Sequence, residues 1–301
     1  MKKLLFVFNP RSGTGEISRH LADVLDIFTK ADYEVVTYPT QGPKDGSKKI
    51  ISDGMRFDRI VAAGGDGMFH ELINAVLSLP EKVTVGYIPT GTVNDFASSN
   101  KIPKNILHAA EIAVSDNVKS LDVGNFNGEY FSYIAAFGLI TNVAYDTDQR
   151  AKNTWGFLAY LGEAAKNLNY ATMNSVCRKM KICTDDGCLE DEFIFGAVSN
   201  SLSIAGLQNF VGHNVVLNDG IIEGLFIRKP KDIFEFDEIV DCLLFRDFDS
   251  PYISYIQSSR FEIETEPVAW TLDGENGGEH GNTVVTAEKQ VLNIALPKDD
   301  E

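Results

Sequence analysis

A chain of 301 residues is long enough for two domains with separate cores. Its 44% apolar and 23% charged residues are those of an ordinary globular protein, which excludes a low-complexity or largely disordered chain. A formal net charge of −16 argues against nucleic-acid binding, which needs a basic face to neutralise phosphates, and against strong global attraction to anionic lipid.

Membrane contact then falls to a local patch, and residues 150–170, "RAKNTWGFLAYLGEAAKNLNY", combine cations with apolar side chains suited to it. The opening "MKKLLFVFNPRSG" superficially resembles a signal peptide, but its apolar run is short, stops at Asn-Pro and has no small-residue cleavage site. No apolar stretch has the length needed to cross a bilayer, so the expectation is a cytoplasmic protein, peripheral to the membrane at most. Four cysteines in a chain of this size point to reduced thiols, and Cys183 and Cys188 in "CTDDGC" are expected to pack as thiols, although the spacing would also allow a hairpin disulfide.

In chain order, residues 4–8 ("LLFVF") form an apolar run of strand length that ends in "NPRSGTG". Ile17, Leu21, Val24, Leu25 and Phe28 then recur at helical spacing, so the opening reads strand, glycine turn, helix. "YEVVTYPT", "RIVAAGG" and "VTVGYIPTGT" are three further strands, each separated by a segment able to carry a helix. Continuously apolar strands alternating with helices predict a doubly wound α/β domain with a parallel sheet covered on both faces, over residues 1–122. From about Asp122 the texture changes to short strand-like runs punctuated by Asn-Gly and Asp-Gly turns, which predict an antiparallel β sandwich over 123–289, with the tail from about 290 to 301 packing back on the first domain. Two helical stretches interrupt these strands, one carrying Trp155, Phe157, Leu158, Leu161 and Leu168, the other Ile233, Phe236, Ile239, Val240, Leu243 and Leu244.

Ligands of open α/β sheets bind beyond the carboxyl ends of the strands, and three turns with unusual chemistry fall there: Asn9–Gly13, Gly64–Gly67 and Pro89–Asp95. The first is neither a Walker A loop nor a Rossmann fingerprint, and a helix-capping role for Ser12 or Thr14 is its plain alternative. After Gly67, Met68, Phe69, Leu72, Ile73, Val76 and Leu77 share one helical face, so "GGDG" opens a helix whose N-terminus favours an anion such as phosphate. Asp66 would repel that phosphate unless a divalent cation lay between them, which makes Mg²⁺ with a nucleotide the natural pairing. Thr90, Thr92 and Asp95 in "PTGTVND" add two hydroxyls and a second carboxylate, and two carboxylates at adjacent strand ends are costly unless they share a metal or a proton.

The ordered set "NPRSG", "GGDGMFHELINAVL", "PTGTVNDFA", "NDGIIEG" and "LDGENGG" resembles the diacylglycerol kinase superfamily, in particular its soluble bacterial lipid kinases, relatives of sphingosine and ceramide kinases. The resemblance spans nearly the whole chain and implies an N-terminal nucleotide-binding α/β domain of the NAD kinase and diacylglycerol kinase type, a C-terminal β sandwich and an active site in the cleft between them. By that resemblance, Asn9, Pro10, Arg11, Ser12 and Gly13 line the ATP phosphates and Thr40 contacts the nucleotide. Gly65, Asp66, Gly67, Met68, Phe69, His70, Glu71 and Thr92 complete the pocket, Asp66 and Asp95 serve the Mg²⁺-nucleotide region, and Asp122 assists. Glu275 stands where the family places its proton acceptor, and Asp219, with the carbonyls of Val216 and Ile221, matches a structural Mg²⁺ site. Taken as plain sequence, "DGENGG" also reads as an exposed hairpin turn and "NDG" as a β turn. The family usually has threonine after "GGDG", and Met68 removes that hydroxyl. The implied function is phosphoryl transfer from Mg-ATP to the hydroxyl of a lipid alcohol at a membrane surface. A soluble-metabolite kinase of the NAD kinase kind and a non-catalytic nucleotide- or lipid-binding regulator are the alternatives. Oligomeric state is left open, a homodimer included.

Overall fold

The computed structural model describes residues 1–13, 15–138, 177–200, 203–204, 207–208, 218–245 and 250–298. The chain divides into two compact units, one formed by residues 1–123 with 288–301, the other by 124–287.

In the first unit the strands are β1 (Lys2–Phe8), β2 (Tyr33–Pro39), β3 (Arg59–Gly64) and β4 (Thr84–Pro89). They pair in parallel, β1 with β2 and β3, and β3 with β4, so the order is β2-β1-β3-β4. β5 (Val118–Phe126) and β15 (Glu275–Ala295) each carry the chain from one unit to the other. The end of β15 continues the first sheet, with Ile294 opposite Val85 in parallel. β3 is buried along its whole length, as a central strand demands, whereas β2 at the edge is exposed or half-buried everywhere after Tyr33.

The helices of this unit are α1 (Glu16–Arg19), α2 (Leu21–Lys30), α3 (Asp45–Asp53), α4 (Asp66–Leu77), α5 (Asp95–Ser99) and α6 (Ile106–Ala113), with a 3₁₀ turn at Gly54–Arg56. The single helix expected over 17–28 is two, broken at His20, though Ile17, Val24 and Phe28 are buried as their spacing requires. α1 is capped by Gly15 without any side-chain bond, so Ser12 does not cap it. Thr14 lies outside the described residues. α4 buries Phe69, Leu72, Ile73 and Val76 at helical spacing, and Phe69 stacks on Phe96 of α5 at 3.9 Å between ring centroids. Burying such a ring is worth about 2 kcal/mol, which fixes α4 against α5.

The second unit is antiparallel wherever its strands pair. Its further strands are β6 (Glu129–Phe131), β7 (Ile134–Gly138), β8 (Arg178–Thr184), β9 (Gly187–Ser199), β10 (Ser203–Ile204), β11 (Leu207–Gln208), β12 (Ile222–Arg228), β13 (Ile253–Ser258) and β14 (Arg260–Leu272), with helix α7 (Ile233–Phe245). The pairings run β13-β12-β9-β7-β14-β15, and β8 bonds both β9 and β14. Phe126, Phe131, Phe137, Phe193, Phe226, Phe261 and Trp270 form its core, with Trp270 4.8 Å from both Phe126 and Phe137. Asn127-Gly128 and Asp273-Gly274 are two-residue hairpin turns with positive φ at both positions, the type I′ geometry that Asn-Gly and Asp-Gly favour.

One expectation fails here. Cys183 and Cys188 are bonded as a disulfide instead of packing as thiols. They stand directly opposite each other across the β8–β9 hairpin, with Cα atoms 4.1 Å apart, so the strand register itself brings the sulfurs together. The apolar stretch Trp155–Leu168, the membrane patch at 150–170 and Val216 lie outside the described residues. Among the described residues no helix is long and apolar enough to cross a membrane.

Candidate active site

Because β2 lies on one side of β1 and β3 and β4 on the other, the strand order reverses between β1 and β3, the point where ligands of such sheets bind. The turn after β1 is held by Asn9. Its N–H donates to the Ala63 carbonyl at 3.0 Å, and its Oδ1 accepts from the Arg11 N–H at 2.9 Å. Ser12 is buried, Arg11 exposed, and the Thr40 N–H closes on the Phe8 carbonyl at 2.9 Å.

All three sequence-predicted turns meet. Thr90 donates its N–H to the Gly64 carbonyl at 2.8 Å. Gly13, at φ +58, lies so close to the Thr90 carbonyl oxygen that a Cβ would stand 2.4 Å from it. Gly65 and Gly91 touch backbone to backbone, since a Cβ on Gly91 would lie 2.5 Å from the Gly65 Cα. These glycines therefore admit one turn against another, a use of the missing side chain that the sequence did not suggest.

Asp66 also accepts bonds from within the chain. Its Oδ2 accepts from the Asn94 N–H at 2.9 Å and its Oδ1 from the Asp95 N–H at 2.8 Å. Its charge is thus stabilised by two backbone donors at the start of α5, and a metal is not required to explain it. Asn94 ties the turn. It sits at φ 58, ψ 58 and is 1% exposed. Its amide donates to the Gly91 carbonyl at 2.7 Å and accepts from the Gly91 N–H at 3.0 Å. The buried Tyr87 hydroxyl donates to the Gly64 carbonyl at 3.0 Å, and its pKa is raised well above the usual phenol value by burial first and by the charge of Asp66 second.

Two polar atoms of this region are buried without a partner, Thr90 Oγ1 and Glu71 Oε2. The other Glu71 oxygen accepts from the Lys44 N–H at 2.7 Å, ahead of α3. Met68 fills the space between the end of β3 and α3: a Cβ on Gly64 would lie 2.4 Å from the Met68 Cβ, and one on Gly46 would lie 3.6 Å from its Sδ. Phe69 is turned into the core and His70 is buried beside Asn74, so Phe69 has only its backbone to offer a ligand. Gly67 opens α4 beside Asp66, and Thr92 is exposed in the turn. Asp122 is buried, and its Oδ1 accepts from the Gln290 N–H at 2.7 Å, tying β5 to the returning tail.

The remaining predicted residues belong to the second unit. Glu275 is exposed, opposite Leu272 where the Asp273-Gly274 turn enters β15. Asp219 accepts from the Ile221 N–H at 2.9 Å in a short turn before β12. Among the described residues no group of three or more metal-ligating side chains comes together. Sequence reasoning missed Asp273. It is 3% exposed, and its Oδ2 accepts from the Ser132 N–H at 2.7 Å and the Ser132 hydroxyl at 3.0 Å. Its Oδ1 accepts from the N–H groups of Tyr133 at 3.0 Å and Ile134 at 3.2 Å.

A family model described as the diacylglycerol kinase catalytic domain matches residues 3–126, the stretch that contains all three turns. A diacylglycerol kinase of Bacillus subtilis is 31% identical, over 99% of this chain and 98% of its own. One from Staphylococcus carnosus is 28% identical, over 99% and 96%. The crystal structure of a candidate diacylglycerol kinase from Bacillus anthracis superposes with a TM-score of 0.83 at 25% identity, over 98% of this chain and 95% of that one. Identity above 30% along the full length of both chains, joined to this agreement in fold, decides the assignment: the chain belongs to the diacylglycerol kinase family.

Proposed function

We propose that the protein transfers the γ-phosphoryl group of Mg-ATP to the hydroxyl of a lipid alcohol such as diacylglycerol, presented at a membrane surface. The observation that carries the reading is the meeting of three turns at the carboxyl ends of β1, β3 and β4 in a chain of this family. On this reading the first unit is a doubly wound nucleotide-binding domain, the second a sandwich that receives the lipid, and transfer takes place in the cleft that the family resemblance implies.

The residues suit a nucleotide. α4 turns its N-terminal end, which favours a phosphate, toward the same turns. Asp66 and Asp95 in adjoining turns would hold Mg²⁺. The cation would neutralise charge on the phosphates. Asn9 to Gly13 shape the phosphate side, and Glu275 accepts the hydroxyl proton as the lipid oxygen bonds to the γ-phosphorus and the bond to the ADP oxygen breaks. By the family resemblance, Asp219 with the carbonyls of Val216 and Ile221 would hold a structural Mg²⁺.

The test is a labelled-ATP assay with vesicles containing dioleoylglycerol and, in parallel, with NAD. Phosphatidic acid as the labelled product, with no labelled NADP, is the expected result. Labelled NADP alone would move the protein to the soluble-metabolite kinases.

A further inference from the structure

The hairpin that carries Glu275 is fastened at a point the catalytic reading does not use. Asp273 and Gly274 are the two central residues of a type I′ turn, at φ 52 and φ 84, between Leu272 and Glu275. An exposed Asp-Gly turn of this kind ordinarily points its aspartate into solvent. Here the side chain is turned inward and is 3% exposed. Both carboxylate oxygens accept two bonds apiece, from the N–H groups of Ser132, Tyr133 and Ile134 and from the Ser132 hydroxyl, at 2.7–3.2 Å. The Asp273 N–H in turn donates to the Ile134 carbonyl at 2.9 Å. The tip of a hairpin is normally its loosest part, yet this tip is bound at both backbone and side chain to the segment that starts β7. Glu275, two residues on, is exposed and lies in the first position of β15, so the turn is what fixes its backbone.

A general base must stand within hydrogen-bond reach of the proton it takes, and a displacement of about 1 Å can cost on the order of 10²-fold in rate. We infer that Asp273 is a positioning residue for catalysis: by clamping the turn to residues 132–134 it holds Glu275 where the acceptor hydroxyl is deprotonated. The inference rests on the reading of Glu275 as the base. It differs from a purely structural role for Asp273 in one consequence, that the loss on breaking the clamp passes through Glu275.

The experiment is a double-mutant cycle on the full-length protein, with Asp273→Asn, Glu275→Ala and the pair, assayed for dioleoylglycerol phosphorylation at a temperature where circular dichroism shows each to be folded. Asp273→Asn is expected to lower kcat by about 10²-fold, the scale of a misplaced base, with the KM for ATP and for dioleoylglycerol within about twofold of the parent. In the Glu275→Ala background the same change is expected to cost almost nothing further, because there is no base left to misplace. Ser132→Ala, which removes the weaker of the two Oδ2 donors and leaves the backbone clamp, is expected to lower kcat by roughly two- to fivefold with the same unchanged KM values, and it decides the matter if Asp273→Asn does not fold. Additive losses from Asp273→Asn (or Ser132→Ala) and Glu275→Ala would overturn the positioning role while leaving the kinase reading standing. Full activity of Glu275→Ala would overturn both the base assignment and this inference.

Discussion

Asp66 offers the sharpest test of why a carboxylate stands among the glycine turns. If its charge were there only to hold a cation, removing that charge would matter only when cation and nucleotide are present. The structure assigns it a second task, since both oxygens accept backbone N–H bonds from Asn94 and Asp95 at 2.9 and 2.8 Å. Asp66→Asn keeps the size and one acceptor oxygen but turns an NH₂ group toward the other N–H, so one bond becomes neutral and one is lost. A hydrogen bond to a charged group is worth about 1.5–3 kcal/mol, a neutral one about 1, and the expected destabilisation is therefore about 2–5 kcal/mol. The assay is thermal and denaturant unfolding of nucleotide-free protein in excess EDTA. The melting temperature should fall by roughly 5–10 °C for domains of this size. If Asp66→Asn melts with the parent in EDTA and differs only when Mg-ATP is added, the backbone clamp contributes nothing and the charge serves the cation alone.

Asn94→Ala should destabilise the ligand-free protein by about 2–3 kcal/mol, through two lost side-chain bonds to Gly91 and a left-handed backbone that alanine resists, and Asn94→Gly should recover about 1 kcal/mol of this in the same unfolding assay. Glu223 in β12 is 2% exposed, and burial pushes its carboxyl up to about 7 from an ordinary 4.5. The folded protein therefore keeps a proton that the unfolded chain releases, so stability is greatest below about pH 4.5 as far as this group is concerned and is lost as pH rises to about 7, by up to about 3 kcal/mol. Unfolding free energies measured from pH 4.5 to 8 should show this fall in the parent and not in Glu223→Gln; parallel profiles would refute it. Replacing Cys183 and Cys188 together by serine should cost about 2 kcal/mol, the small entropy of a short closed loop, with melting compared under non-reducing conditions.

How much of this was readable beforehand follows from how far apart the interacting groups lie in the chain. Residues 4–8 and 59–64 are continuous apolar runs because their strands are buried on both faces, and a local pattern suffices to find such strands and their parallel neighbours. The break at His20 carries no glycine or proline, and nothing local marks it. The three turns stood out through their composition, but composition cannot say whether a glycine makes room for a ligand or for another turn. Gly65 and Gly91 do the second, and that depends on contact across 26 residues. Asp66 is the same case: its backbone donors lie 28 and 29 residues on, so its second task leaves no local mark. Asp273 lies at the far end of this scale. Its Asp-Gly turn is legible in four residues, yet the partners that turn its side chain inward are 139 to 141 residues earlier. Local sequence thus locates the groups able to do chemistry, whereas what holds them still is set by backbone donors that any residue supplies and that leave no mark on side-chain identity.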